Sequence, residues 1–189
     1  AEKVLAKLCD AMHDARVKAG KKLEAAALKE LKVLGLPHAL FACSVELEEG
    51  AWTATGADAA CFLLAPNPGE PPRPIKTAAS GGELSRVMLA LKSVFAEADG
   101  IPSLIFDEID AGIGGMVATR VAERLRALAS SHQVLCITHL AQIAAAGHHH
   151  FHVAKGTRNG ATMVQVGRVE SRSRVEEVAR LLDGSVTDV

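Results

Sequence analysis

The chain has 189 residues, 49% of them hydrophobic and 23% charged, which suits one domain with a core, or one domain plus an arm. The 21 Lys and Arg residues nearly balance the 22 Asp and Glu residues, and the net charge of −1 does not indicate a nucleic-acid-binding protein, although local basic patches stay compatible with it. Aromatic residues make up only 3% and Tyr is absent, which excludes an aromatic platform for stacking bases.

The cysteines and the apolar runs bear on the cellular compartment. No apolar run reaches the length of a membrane span and no signal peptide opens the chain, so we expect a cytoplasmic protein with no membrane partner. Four widely spaced cysteines are predicted to be buried thiols and not a disulfide framework or a zinc site: Cys9, Cys43, Cys61 and Cys136. Because the first residue is Ala1 and not Met, we expect the chain to start after processing or within a longer protein.

Residues 2–34 are predicted to form one long helix, because they contain no Pro and one Gly. Gly35 and Pro37 predict its end. A heptad-like apolar stripe loses its register part-way, and two interpretations stay open: an amphipathic helix on a globular core, or the last part of a coiled-coil arm. Its basic residues either contact DNA or form a solvated face: Lys7, Arg16, Lys18, Lys21 and Lys22.

The next segment changes from β-rich to proline-rich. Residues 38–65 alternate in part and are predicted to form strands. Residues 66–77 hold five prolines and are predicted to form an ordered loop or a linker, with neither helix nor central strand.

An α/β pattern follows. A strand, a helix and a strand within about 35 residues predict a parallel βαβ unit, with both strands buried. The predicted elements are a helix at 82–98, a strand at 103–107, a helix at 115–129, a strand at 133–138, strands at 150–154 and 162–169, and a helix at 172–182. The predicted apolar side of the first of these helices holds Leu84, Val87, Met88, Leu91, Val94 and Phe95.

The two buried strands of this unit are each followed by polar residues. Asp107-Glu108 follows the first and Thr138-His139 follows the second, and ligands bind outside the carboxyl ends of such strands. If the strands are neighbours, these residues converge on one spot that suits a hydrated Mg²⁺ ion, a base and a phosphate sensor. A turn followed by a helix cap is the alternative interpretation of the acidic pair.

The stretch AASGGELSR, residues 78–86, has two interpretations of its own. Ser80, Gly81 and Gly82 at a helix start offer main-chain N–H groups and a hydroxyl to an anion. Alternatively, Ser80 and Glu83 form a plain capping box. Arg86, one turn further on, is expected to brace an interface or to pair with Glu83.

The motif series SGGELSR, LIFDEID, AGIGG and ITH resembles the second half of an ABC-type ATPase head, in particular that of SMC-like proteins of DNA repair. The resemblance covers nearly the whole chain. It implies an α/β fold, the C-terminal lobe of an ABC/SMC-type head with a partial parallel sheet flanked by helices. Residues 1–35 are then the end of a coiled-coil arm and residues 36–189 the half-head.

The cluster His148, His149, His150 and His152 is less suited to a metal, since strand neighbours face opposite sides.

The resemblance also implies roles for single residues. A signature motif that contacts the γ-phosphate of ATP held by an opposite head is matched by Ser80, Gly81, Gly82 and Glu83. Asp107 matches the aspartate that faces Mg²⁺, and Glu108 matches the glutamate that activates water. Asp110, with Gly112, resembles the D-loop at the dimer interface, and His139 matches the histidine that senses the γ-phosphate.

One departure from the family pattern limits these expectations. The motif GxxxxGK[ST] is absent and no Q-loop is identifiable, so the chain is expected to be a C-terminal fragment that is inactive alone. ATP and Mg²⁺ are the implied ligands. The implied partners are the N-terminal half of the head, a second head in an ATP-dependent dimer, and DNA in double-strand-break repair at the nucleoid. A head of another SMC or ABC ATPase, or a non-catalytic module that binds a partner or DNA, are the alternatives.

Overall fold

A computed structural model describes residues 2–48, 50, 52–78, 80–95, 100–158 and 161–183. These residues form five α-helices and seven strands. In chain order they are α1 Glu2–Val33, β1 Leu40–Leu47, β2 Asp58–Ala65, β3 Arg73–Pro74, a 3₁₀ turn Ile75–Thr77, α2 Gly81–Phe95, β4 Ser103–Phe106, α3 Gly115–Leu128, β5 Gln133–Cys136, α4 Ala141–Ala146, β6 His150–Arg158, β7 Ala161–Val169 and α5 Ser171–Leu182.

The long helix α1 ends where its sequence predicts. Gly35 adopts a left-handed φ of +84°, and the N–H of Leu36 donates to the carbonyl oxygen of Leu31 at 2.9 Å, which is a Schellman-type end. The second half of α1 packs on β1 and α2 with Ala27 and Leu31 fully buried. The apolar residues of its first turns, such as Leu8, are exposed.

The side chain of Arg16 is neither fully solvated nor free to bind DNA, unlike what the two interpretations of the basic residues of α1 predict. Its Nη1 donates to Oδ2 of Asp58 at 2.8 Å, and its Nη2 donates to the carbonyl oxygen of Thr55. The basic side chain is therefore engaged within the chain, because β2 begins with a buried carboxylate beneath α1.

The β-rich prediction for residues 38–65 is confirmed as an antiparallel pair, β1 and β2, in register from Leu40 opposite Ala65 to Leu47 opposite Asp58. The proline-rich segment is mostly loop, yet it contributes β3, whose Pro74 lies opposite Leu63. Pro74 is tolerated because β3 lies at the edge of this sheet, where a missing N–H costs no ladder bond.

The predicted βαβ unit is confirmed. The strands β4 and β5 pair in parallel, Ser103 opposite Gln133 and Phe106 opposite Cys136, and α3 connects them. The prediction that both strands are buried is wrong. Ile105 is 72% exposed and Leu135 is 48% exposed, because one face of this two-stranded sheet has no cover in the described part of the chain.

The predicted helix at 82–98 is α2, and positions 96–98 of that prediction lie outside the described residues. Two residues assigned to its apolar side, Met88 and Phe95, are exposed. The fully buried residues of α2 include Val87 and Leu89, which join the core of α1, α3 and β4. The buried face is therefore rotated from the predicted one, because α2 packs on α1 and α3 and leaves Met88 beside the open sheet.

The C-terminal part holds a hairpin and two helices. The strands β6 and β7 pair antiparallel and are longer than predicted, and α5 matches its prediction. The short helix α4 was not predicted. His149 lies before β6, whereas His150 and His152 share one face of it, with Nε2 of His152 at 3.9 Å from Glu177. Within the described residues, no group of three or more His, Cys, Asp or Glu side chains is placed to bind one metal ion.

The cysteine prediction holds only in part. All four thiols are free, and Cys9 is buried, but Cys43 and Cys136 are partly exposed and Cys61 is exposed. Cys61 is exposed because it lies in a stretch of β2 that none of the described helices covers. None of the described helices is both long and apolar enough to cross a membrane.

Candidate functional site

The turn after β4 presents both adjacent carboxylates to solvent. Asp107 and Glu108 are exposed, and Oδ1 of Asp107 accepts the N–H of Glu108 at 2.9 Å. Glu108 has a φ of +55°, a left-handed conformation that is uncommon for a residue with a side chain. The N–H of Ala111 closes the turn by donating to the carbonyl oxygen of Glu108 at 3.0 Å. The turn thus directs acidic groups out of the fold at the carboxyl end of a parallel strand.

The start of α2 lies directly against this turn. A Cβ on Gly82 would lie 2.8 Å from the carbonyl oxygen of Glu108 and 2.7 Å from the Cβ of Ala111, and a Cβ on Gly81 would meet the carboxylate of Glu108. Position 82 therefore requires glycine so that helix and turn can approach each other, whereas a Cβ at Gly81 would meet only the movable end of the Glu108 side chain. Ser80 donates from its N–H and its Oγ to Oε2 of Glu83, at 3.3 and 3.1 Å. The bond from the Ser80 N–H to the Glu83 carboxylate is one of the two hydrogen bonds that define a capping box.

Asp110 connects the turn to the residues after β5. Its buried carboxylate oxygen Oδ2 accepts the Thr138 hydroxyl at 2.5 Å and the His139 N–H at 2.8 Å, and it lies 3.1 Å from Nδ1 of His139. The ring of His139 is 65% exposed in spite of this contact. Asp110 thus orients His139 within its own chain, and its predicted contact with nucleotide across a dimer interface stays a prediction.

Arg86 does not pair with Glu83 as one interpretation had it. Its buried side chain reaches the turn instead, where Nη1 donates to the carbonyl oxygens of Ile109 at 3.4 Å and Ala111 at 2.9 Å. Ser85 acts in the same way, since its Oγ donates to the carbonyl oxygen of Asp107 at 2.7 Å. Sequence reasoning missed both roles. A charged residue on the buried face of α2, one turn after Gly82, was the available signal.

The pKa of the Cys136 thiol is affected by the carboxylates of the site. Burial, together with the nearby carboxylates of Asp110 and Asp107, raises the pKa of its thiol to about 12. The thiol is therefore held protonated next to the acidic turn and supplies no nucleophile there.

The residues present fit Mg²⁺ and a nucleotide phosphate. Oδ1 of Asp107 is used by the Glu108 N–H, and the rest of this exposed carboxylate faces solvent at the strand end. Mg²⁺ prefers one or two carboxylates together with water and phosphate oxygens, and not a cage of protein ligands. Ser80 and Gly81 at the exposed start of α2 suit a phosphate oxygen.

The structure therefore brings all the sequence-predicted site residues onto one connected surface. Gly81 contacts Glu108, Glu108 is bonded to Asp107, and Asp110 joins the same turn to His139. The individual roles predicted for them stay predictions.

Comparison with known proteins decides the family. The chain is 43% identical over 176 residues to the DNA repair protein RecN of Vibrio cholerae, which covers 93% of this chain and 32% of that protein. It is 44% identical over 192 residues to RecN of Deinococcus radiodurans, covering 95% of this chain and 33% of that protein. The chain belongs to the RecN family. It matches the C-terminal part of the RecN proteins and spans about a third of their length. No family model matches the chain.

Solved structures agree with this RecN assignment at the level of the fold. The Smc head domain with coiled coil and joint from Pyrococcus yayanosii superposes with a TM-score of 0.57 and 19% identity, covering 84% of this chain and 28% of that one. An Smc head from Pyrococcus furiosus, bound to the C-terminal domain of ScpA, gives a TM-score of 0.56 at 18% identity, covering 96% of this chain and 42% of that one. The fold of this chain is that of part of an SMC head.

Proposed function

We propose that this chain is the C-terminal half of a RecN-type ATPase head that works in DNA double-strand-break repair. It binds and hydrolyses ATP with Mg²⁺ only when the half that carries GxxxxGK[ST] completes the head. The observation that supports this most directly is the continuous contact from Gly81 through Glu108 and Asp107 to Asp110 and His139. This connected region carries the carboxylates and the imidazole that phosphoryl transfer requires at one ATP, and also the helix start that is proposed to face the ATP of a second head.

Each residue has a distinct task in this proposal. Asp107 holds Mg²⁺, which when bound neutralises phosphate charge. Glu108 accepts a proton from the attacking water at its carboxylate. His139, oriented by Asp110, donates toward the terminal phosphate. Ser80, Gly81, Gly82 and Glu83 contact the phosphate of an ATP that the other head of a dimer holds.

The open face of the parallel sheet is the proposed docking surface for the N-terminal half. Ile105, Leu135 and Ile137 are exposed there, and a parallel sheet is stable only with both faces covered. A groove of about 220 Å³ beside Met88 and Leu84 continues this apolar surface. The first turns of α1 are proposed to continue into a coiled-coil arm, and the assembled protein to act on DNA in the cytoplasm, at the nucleoid.

ATP turnover tests this function. The chain is measured alone, then together with the N-terminal half, on one polypeptide or as two chains. We expect turnover only from the combination. Glu108→Gln should lower turnover by about 10²-fold or more while ATP still binds, since only the proton acceptor is removed.

The matched control is Glu123→Gln, an exposed glutamate of α3 that pairs with Arg120. It makes the same charge change away from the site and should leave turnover unchanged. Turnover by the chain alone would refute the half-head proposal. Turnover that survives Glu108→Gln would refute the assignment of Glu108. A combination that binds ATP but never hydrolyses it would favour the non-catalytic module.

A further inference from the structure

Arg86 is a buried cation that makes no ion pair within the described residues. Its side chain is 5% exposed, and its Nη1 binds only the neutral carbonyl oxygens of Ile109 and Ala111. Its Nε is buried without a hydrogen-bond partner. Burial lowers the pKa of Arg86, and Glu83 opposes that effect from a distance. A buried charge with neutral partners is costly, so stability alone does not account for this residue.

The contacts of Arg86 belong to a larger attachment between α2 and the 107–111 turn. Ser85 binds the carbonyl oxygen of Asp107, and Gly82 is in close contact with that of Glu108. Side chains of α2 therefore hold the main chain on both sides of Glu108. A shift of α2 is transmitted to the turn because these hydrogen bonds and the Gly82 contact leave no space between them.

The conformation of Glu108 depends on that attachment. A left-handed φ in a glutamate persists only where the surroundings impose it. Besides the bonds of Glu108 itself with Asp107 and Ala111, the groups that hold the turn are Arg86, with two bonds to its main chain, and Ser85, with one. Arg86 thus sets the direction in which the Glu108 carboxylate leaves the turn, without touching that carboxylate.

We propose that Arg86 is a positioning residue that couples the Ser80–Glu83 segment to Glu108 of the same chain. This inference rests on the function proposed above. There, Ser80–Glu83 serve the ATP of the opposite head, whereas Glu108 serves the ATP of its own head. Arg86 therefore connects the two ATP sites of the dimer, and phosphate contact at one site improves the alignment of Glu108 at the other. Such a connection corresponds to a coupling free energy between the two ATP sites, and it is measured as cooperativity in the dependence of turnover on ATP concentration.

The test compares Arg86→Met and Arg86→Lys with the control Arg120→Met in the assembled head. Arg120 is an exposed arginine of α3, so its variant controls for loss of a charge. Arg86→Met should lower kcat by about tenfold or more and leave KM within about threefold, because alignment and not binding is lost. The Hill coefficient for ATP should fall to 1. Arg86→Lys should restore part of both, because its ammonium still donates to a carbonyl oxygen of the turn.

A second readout needs no turnover. Amide hydrogen exchange at Ala111, whose N–H donates to Glu108, should be faster in Arg86→Met than in Arg120→Met. If the wild-type assembled head does not hydrolyse ATP, the proposed function fails and the coupling fails with it. The exchange rate then still reports whether Arg86 holds the turn.

An active wild type with an unchanged Hill coefficient in Arg86→Met overturns this inference alone. A lower kcat with unchanged cooperativity also overturns it, since that result describes a structural role. If Arg86→Met does not fold, Arg86→Lys tests the inference instead. The inference then requires that Arg86→Lys has a lower Hill coefficient than the wild type and the same melting temperature.

Discussion

The carboxylate of Asp58 illustrates how one residue can fix two elements. Its side chain is 1% exposed, and it binds Nδ1 of His13 and Nη1 of Arg16, each at 2.8 Å. The hydrogen bond from Arg16 lowers the pKa of Asp58, His13 acts in the same direction, and burial opposes them. The ionised carboxylate thus joins the start of β2 to α1.

We predict that Asp58→Asn destabilises the protein at neutral pH and weakens its dependence on acid. A depressed carboxyl pKa contributes stability above the unfolded value of about 3.9 and loses it as the pH falls through the folded value. The melting temperature of the wild type should therefore decrease between pH 5 and pH 3 more than that of the variant. Asp14→Asn, at an exposed position of α1, is the control and should follow the wild type. Equal acid dependence in all three proteins would contradict the role of Asp58.

The residues of the candidate site could be predicted from the sequence to different degrees. Asp107 and Glu108 stand out because adjacent carboxylates directly after an apolar run need a reason to be there. Arg86 and Ser85 could not be assigned, since their partners are main-chain oxygens whose position depends on the Asp107–Ala111 turn. The contact between Gly81 and Glu108 could not be predicted from the sequence either, because it depends on how closely α2 approaches that turn.

At the scale of elements, local signals predicted most helices and strands and missed the helix α4 and the short strand β3. The Gly35 end of α1 and the β4–α3–β5 unit follow from glycine placement and apolar periodicity. The helix α4 is only six residues long, and AQIAAA has little polar contrast to reveal it. Burial of β4 and β5 was predicted wrongly. An apolar run indicates that a strand face is to be covered, but it does not indicate whether the covering residues belong to the same chain.

The helix α4 depends on Arg174 of α5 for its C-terminal end. The Nη2 of Arg174 donates to the carbonyl oxygen of Ala145 in the last turn at 3.1 Å and to that of Gly147, the residue after the helix, at 2.5 Å. One cation thus satisfies two carbonyl groups at this helix end. The sequence gives no sign of this contact, because arginines that alternate with glutamates, as around Arg174, are typical of a solvated surface.

We predict that Arg174→Met lowers the free energy of unfolding by about 1 kcal/mol, since hydrogen bonds from a charged donor to helix-end carbonyls are lost. Arg172→Met is the matched control. Arg172 pairs with Glu176 at a fully solvated position, so its loss should cost no more than about 0.5 kcal/mol. Urea unfolding of both variants provides the measurement. An equal effect of the two substitutions would contradict the capping role.

At the scale of the whole molecule, this chain has the fold of part of an SMC head and the sequence of about a third of a RecN protein. The described residues leave one sheet face uncovered and the sequence lacks a GxxxxGK[ST] motif, and both have the same explanation in our account, which is that a further half completes the head. Its acidic turn and its glycine-rich helix start then belong to two different ATP sites of a dimer. That division is the central claim of the account.

Mixing two inactive variants tests this claim most directly. Assembled heads with Glu108→Gln and heads with Ser80→Arg are each measured alone and then as an equal mixture. Each variant alone should be inactive, whereas a mixed dimer keeps one site with Glu108 from one head and Ser80 from the other. Half of the dimers should be mixed with one of two sites intact, which sets an upper limit of about a quarter of the wild-type rate. The rate should lie below that limit, because Ser80→Arg also removes the phosphate contact that aligns Glu108 of the same head. Heads that carry both substitutions, mixed with Glu108→Gln, form no intact site and should stay inactive. A first mixture no more active than this control would contradict the account.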